Sequence, residues 1–132
     1  MILSSPLKRA AQSAEIIAKY RKVPIIYKDS LKERDFGRLA GWKINDLPGL
    51  DKTKSDIGEQ LKTVDVRTYG GESEEDMKKR VKELIEGLKS EYNGKTILIV
   101  GHAGVMYYMH QVFPQKERRE FANASIHEFL IE

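Results

Sequence analysis

The sequence predicts an α/β fold built on an open, mostly parallel sheet. Two observations carry this expectation. Ile97-Leu98-Ile99-Val100 is a short run of β-favouring apolar residues that leads straight into Gly101-His102-Ala103-Gly104. Such a run bounded by turn signals reads as a strand buried on both faces, and the glycine-flanked histidine reads as a tight strand-to-helix turn. Elsewhere, short apolar segments alternate with amphipathic helical ones, the pattern of strands connected by helices. Ligands of open α/β sheets bind just beyond the carboxyl ends of the strands, which makes His102 a candidate site residue. The two glycines let backbone and ligand approach closely. A helix starting near Gly104 aims its free N–H groups at the same spot, where an anion such as phosphate is favoured. A histidine simply packed in a turn is the alternative; strand, glycines and helix start together favour a site.

Composition narrows the class. A chain of 132 residues is one domain with room for one core. With 40% hydrophobic and 33% charged residues it has the balance of a water-soluble globular protein. No apolar run approaches membrane-spanning length and no signal peptide opens the chain, so no membrane partner is expected. Cysteine is absent, which excludes disulfides, thiolate metal sites and a cysteine nucleophile, and makes the cytoplasm the default location. The net charge of +3, from 23 Lys and Arg against 20 Asp and Glu, is spread without a basic run, so nucleic acid is not expected as a partner.

Each element has its own local reason. Met1-Ile2-Leu3 reads as the end of a strand. Ser5 reads as an N-cap and Pro6 suits a first helical turn, where its missing N–H costs nothing. The helix runs to about Tyr20, with Leu7, Ala10, Ala11, Ala14, Ile17 and Ala18 on one face. Arg9 stands in its first turn, where a basic side chain opposes the helix dipole. A bound anion reconciles the two, because a guanidinium grips phosphate through two parallel hydrogen bonds; a solvated arginine is the plain alternative. Val23 to Tyr27 reads as a short strand kept near an edge or a strand start by Pro24. Residues 31–42 fit neither a helical nor a strand period and read as an ordered loop of the kind that carries function. Within it, Glu33 and Asp35 are candidate general acids. Residues 43–69 read as short helices and loops, either a lid over the site or a surface insertion. Ser73 caps the clearest helix, with Asp76 at the capping-box position and a buried stripe of Met77, Val81, Leu84, Ile85 and Leu88. Tyr92 to Lys95 turns the chain into the Ile97 strand. The helix from Val105 to about Phe113 is apolar on most faces and is stopped by Pro114. Residues 124–131 read as a final strand.

Taken together, these segments resemble the histidine phosphatase superfamily, in its phosphoglycerate-mutase-like branch. Ser4-Ser5-Pro6-Leu7-Lys8-Arg9-Ala10, Glu33-Arg34-Asp35-Phe36-Gly37 with Gly41, Gly70-Gly71-Glu72-Ser73 with Arg80, Gly101-His102-Ala103-Gly104 and Asn123-Ala124-Ser125-Ile126 stand in that family's order. The resemblance implies a three-layer sheet with helices on both faces and phosphomonoester hydrolysis without metal or cofactor. It implies that Arg9 grips the transferred phosphoryl group, that Glu33 protonates the leaving oxygen and that His102 hydrogen-bonds the phosphoryl oxygens. Ser5, Ala103 and Gly104 join them in substrate binding, Ala103 through its backbone N–H. Phosphoryl transfer needs such preorganised donors and an acid on the leaving group.

One departure from the family changes the expectation. Members open with a central strand ending in Arg-His-Gly, whose histidine is the nucleophile, and this sequence contains no Arg-His-Gly. The chain is thus expected to be N-terminally truncated relative to the family, and impaired as a phosphatase. His110 lies eight positions beyond His102, about 12 Å along a helix axis, too far to share one phosphoryl group. His127 is expected to be exposed or half-buried. The gap in the sheet must then close by pairing of the Met1 strand with the Ile97 strand, or be filled by another chain. Unpaired edges invite the latter, so a homo-oligomer is expected, and a non-catalytic phosphate-binding or assembly module is the alternative function. The expected ligand is a small phosphorylated substrate or inorganic phosphate. A nucleotide-binding domain ranks last, because neither a Walker-type nor a dinucleotide-binding glycine motif is present.

Overall fold

A computed structural model of the chain describes residues 1–51, 53, 60, 64–113 and 122–131. It comprises two compact units, one formed by Met1–Glu33 with Lys79–Glu132 and the other by Arg34–Lys78.

The first unit is α/β. Strand β1 (Ile2–Ser4), helix α1 (Lys8–Arg21) and strand β2 (Ile25–Tyr27) form a parallel β-α-β unit, and strand β3 (Leu98–Val100) pairs parallel to β1 on its other side. The order is β2-β1-β3, with Leu3 opposite both Ile26 and Ile99. Every residue of β1 is buried, so the sheet's centre is the Met1 segment. The expectation for the Ile97 run is corrected here. Among the described strands β3 is an edge, Leu98 is 41% exposed, and neither Ile99 nor Val100 is fully buried. A strand that pairs on one side only keeps part of its apolar surface in contact with water. The sheet closes internally, by the Met1 strand pairing with the Ile97 strand.

The turn after β1 also departs from expectation. Helix α1 begins at Lys8, and Leu7 is its capping residue without a side-chain cap. Ser5 is therefore not the N-cap; its Oγ accepts the N–H of Leu7 at 3.2 Å, a local serine turn that leads the chain into the helix. Ala10 and Ala14 are the buried face of α1, small enough for the helix to lie close on the sheet. Lys22 ends it in the left-handed conformation, its N–H returning to the carbonyl of Ala18.

Helix α2 (Glu74–Glu91) starts as predicted. Ser73 Oγ accepts the Asp76 N–H at 3.0 Å, and Asp76 Oδ2 accepts the Ser73 N–H at 3.1 Å, a reciprocal capping box. All five residues of its predicted stripe are buried. Helix α3 (Ala103–Val112) starts one residue before Gly104 and buries only Val105, Tyr108 and Met109, while Val112 is 48% exposed. Apolar on most faces, it is nevertheless buried on one side only. Pro114 lies outside the described residues. Residues 124–131 form no strand: no described strand lies alongside to supply a ladder, and Ile126 and Leu130 stay exposed.

The second unit has a small core of its own, Leu39, Leu47, Val64 and Val66, with Phe36, Leu50 and Tyr69 packed against it. Single 3-10 turns form at Gly37–Leu39, Ile44–Asp46 and Arg67–Tyr69. The Arg34 guanidinium ties two stretches together by donating to the carbonyls of Glu72 and Val64 at 2.8 and 2.9 Å. Gly37 has φ of 57° and its Cα faces the Tyr69 carbonyl and the Gly71 nitrogen, with no room for a Cβ. Gly70 shares a positive φ of 75° but has open space around it. Gly70→Ala is expected to cost about 1–3 kcal/mol, the strain of a left-handed residue alone. Gly37→Ala adds a backbone clash and should unfold this unit well before the first, read as a separate early step in hydrogen exchange.

Candidate functional site

The carboxyl end of the sheet gathers the candidate residues. β1 leads into Ser5 and β3 into His102, and parallel pairing brings those two strand ends side by side. The Ser5 N–H donates to the Val100 carbonyl at 2.9 Å, extending the ladder one step. Beyond it, Ser5 Oγ and His102 Nε2 stand 2.8 Å apart, both side chains buried. With Nε2 held by Ser5, a ligand must be met through Nδ1 or must displace the Ser5 hydroxyl.

A cavity of about 820 Å³ opens at this end of the sheet. Arg9, Glu33, His102 and Ala103 line it, beside the outer edge of β3 and residues Ala122–Ile126. Glu33 comes from the loop after β2. Its carboxylate accepts the Gly104 N–H, at 3.1 Å to Oε1 and 3.3 Å to Oε2, in the first turn of α3. That is a favourable place for a negative group, because the free N–H groups of a helix start point outward there. Arg9 and His102 feel each other directly. Burial, then the nearby Arg9 guanidinium, push the His102 imidazole below its usual value; Glu33 raises it, and Arg80 lowers it slightly more. An imidazole in its neutral form beside a guanidinium can donate one N–H to an anion without adding a second charge.

All six predicted site residues are therefore found at this end of the sheet: Arg9, Glu33, His102 and Ala103 on the cavity, Ser5 on His102 and Gly104 on Glu33. Asp35 is not among them. It belongs to the second unit, where its Oδ1 accepts the Gly37 N–H at 2.7 Å and shapes a turn.

Two groups were not anticipated in their roles. Arg80 donates from one guanidinium nitrogen to the carbonyls of Ser30 and Lys32, at 2.7 and 2.9 Å, and so fixes the backbone that carries Glu33. Its position offered a signal: it falls three residues after Met77 and four before Leu84, on the buried stripe's side of α2. The second group is His110 and His127, whose rings hydrogen-bond at 2.8 Å although 17 residues separate them. No local pattern in the sequence announces that pairing. Among the described residues, no group of three or more His, Cys, Asp or Glu could hold a metal ion, and no helix is long and apolar enough to cross a membrane.

Arg80→Met is expected to loosen the Glu33 loop with little change elsewhere, because it removes a charged donor from two carbonyls at once. The loss of one such charged hydrogen bond is worth about 1.5–3 kcal/mol, and faster amide exchange confined to residues 29–33 and the Gly104 N–H is the measurement that checks it.

The chain is similar to phosphatases along its length. PhoE of Bacillus subtilis, an uncharacterised phosphatase, is 31% identical over 110 residues, covering 81% of this chain and 49% of the relative. Phosphoserine phosphatase 1 of Hydrogenobacter thermophilus is 29% identical over 111 residues, 83% of this chain and 52% of the relative. The chain thus spans about half the length of these curated relatives. In fold it resembles a mycobacterial glucosyl-3-phosphoglycerate phosphatase solved with inorganic phosphate, with a TM-score of 0.59 at 22% identity, over 85% of this chain and 57% of that one. The family model of the histidine phosphatase superfamily (branch 1) matches residues 1–132, and the chain belongs to that superfamily.

Proposed function

We propose that this chain carries the phosphate-gripping side of a phosphomonoesterase site. The observation that carries the reading is the convergence of Arg9, Glu33 and His102 on one cavity at the carboxyl end of a parallel sheet. Arg9 supplies a permanent positive charge, His102 an imidazole N–H, and Ala103 a backbone N–H from the start of α3. Together they suit the equatorial oxygens of a phosphoryl group. Glu33 suits the leaving oxygen, to which a carboxylic acid can give its proton. Ser5 orients His102, and the Gly104 N–H orients Glu33. Phosphoserine and glucosyl-3-phosphoglycerate phosphatases among the similar proteins support a small phosphorylated molecule as ligand. No cofactor enters this reading, and a chain without cysteine suits the cytoplasm.

The sequence contains no Arg-His-Gly, so phosphohistidine-based turnover by these 132 residues is expected to be orders of magnitude below that of a complete site. Inorganic phosphate should nevertheless bind. Titration followed through the His102 ring protons is expected to show a midpoint below the usual histidine value without ligand, rising when phosphate enters, because the anion favours the imidazolium. Arg9→Ala should weaken phosphate binding about tenfold or more, the worth of one charge-assisted contact. Unchanged binding in both Arg9→Ala and His102→Ala would overturn the reading. Robust hydrolysis of an aryl phosphate, abolished by His102→Ala, would overturn the expected impairment.

The depressed His102 value also fixes a stability trend. An unfolded histidine binds its proton more readily than the folded one, so stability present above about pH 6.5 is lost as the pH falls through the folded value. His102→Gln should flatten the fall in urea midpoint between pH 7 and 5, and phosphate should offset that fall in the unmodified chain.

A second reading, an assembling module, is favoured by the position of β3 at the edge of the described strands and by the exposure of Leu98. Edge strands with apolar side chains recruit other strands. Size-exclusion chromatography over a wide concentration range should then show a dimer or larger species, whereas a monomer throughout would reject it.

A further inference from the structure

The cavity follows the outer edge of β3, and the main chain there points into it. In a parallel pair each residue turns its N–H and C=O to the same side, and successive residues alternate. The Leu98 N–H donates to the Met1 carbonyl at 3.2 Å, and the Val100 carbonyl accepts the Ser5 N–H at 2.9 Å, so these two residues serve β1. Ile99, between them, turns both its groups the other way, where no described strand lies. The cavity is on that side: Leu98 to Gly101 line it, as do Ala10, Ser13 and Ile17 of α1, and no residue of β1 does.

A second stretch borders the same space. Residues Ala122 to Ile126 line the cavity and lead into a segment that joins no described ladder. Ring contacts with α3 anchor that segment: His127 Nδ1 lies 2.8 Å from His110 Nε2, and the Phe129 ring packs on His110 with centroids 4.7 Å apart. Its apolar side chains are left uncovered, Ile126 at 84% and Leu130 at 77% exposed, as is Leu98 on β3 at 41%. An edge with outward main-chain groups thus borders a cavity that has apolar residues on its walls and exposed ones on its rim.

We propose that the cavity is a slot for one added β-strand, an extended apolar segment of another polypeptide that pairs with the outer edge of β3. The main chain of the added strand meets the Ile99 N–H and C=O, and its side chains cover Leu98 and Ile126. Ile97 to Gly101 span about 13 Å at about 3.3 Å per residue, so about five residues fill the edge. β-Branched apolar residues suit it, because they favour the extended conformation and match the walls. The occupant is a lone strand and not the sheet of a second copy. In this fold α1 contacts all three strands, so a sheet edge arrives with its helix, and the cavity is already flanked by α1 and by residues 122–126. The proposal does not rest on phosphate binding, which uses side chains beyond the carboxyl end of β3.

The probe is a labelled valine–isoleucine peptide with terminal lysines for solubility, titrated into the full chain by fluorescence anisotropy, with amide exchange read residue by residue. The peptide is expected to bind and to slow exchange at the Ile99 amide, while Leu98 and Val100, already bonded to β1, change little. The same peptide N-methylated at alternate amides should bind far more weakly. Ile99→Pro removes the outward N–H, places a ring in the slot and leaves both bonds to β1 intact, a position where an edge strand tolerates proline. It should weaken peptide binding about tenfold or more, the worth of a lost hydrogen bond plus the obstructing ring. Ile126→Asp, at an exposed position, should weaken it as well by setting a charge against an apolar strand. No binding to the folded chain overturns the proposal, and so does binding that ignores Ile99→Pro. If that variant fails to fold, the Ile99 amide of the unmodified chain decides: exchange unchanged by the peptide overturns the proposal. A dimer that protects the same amide without peptide also overturns it, because a second copy is then the occupant. Phosphate binding, measured in parallel, stands or falls separately.

Discussion

Parallel pairing of β1 with β3 is the constraint on which the site depends. It sets the Ser4 position against Val100 and lets the Ser5 N–H continue the ladder to the Val100 carbonyl. Two strand ends far apart in sequence are thereby locked at one level, and the side chains that follow meet: Ser5 Oγ on His102 Nε2. A one-residue slip would turn every side chain to the opposite face and separate that pair. The buried residues of β1 guard the register, since Ile2 and Leu3 are at most 1% exposed. Arg9 follows four residues after Ser5, in the first turn of α1, so the same constraint also sets where its charge stands.

That arrangement resolves the placement of Arg9, which helix energetics alone disfavour. The first turn of α1 contains no acidic residue, so the basic side chains there face an already positive helix end. Arg9 shares its cavity with a buried imidazole whose hold on a proton is weakened by burial and by Arg9 itself, and under the proposed function both groups gain from an incoming anion. The neighbouring helix start is treated in the opposite way: α3 receives the Glu33 carboxylate on its Gly104 N–H. One helix end thus carries basic side chains and no acidic residue in its first turn, and the other receives a carboxylate of the same unit.

Much of this was legible because local rules and tertiary structure agree. The capping box of Ser73 and Asp76, the five buried residues of α2 and the α/β alternation all rest on spacings of a few residues. The six candidate site residues could be placed because their motifs stand in a family's order. What was not legible depended on neighbours that the sequence does not display. Ile97–Val100 has the composition of a fully buried strand, yet among the described strands β3 pairs on one side only, and its apolar residues stay partly in water. Residues 124–131 alternate like a strand but have no described ladder partner. Ser5 has the right identity for an N-cap, but the helix starts three residues later and its hydroxyl serves the turn and His102 instead. Contacts such as His110 with His127 lie 17 residues apart and leave no periodic trace.

The clamp made by Arg80 has a consequence for the order of assembly. Its guanidinium reaches carbonyls 50 and 48 positions earlier in the chain, so the loop bearing Glu33 acquires its final shape only after α2 has docked. Closing so long a stretch of chain carries an entropic cost that local turns do not, and contacts of that separation form late. The β1-α1-β2 unit, by contrast, is contiguous from Ile2 to Tyr27 and can nucleate by itself. The acidic wall of the cavity therefore matures after the β1-α1-β2 unit and depends on the docking of α2.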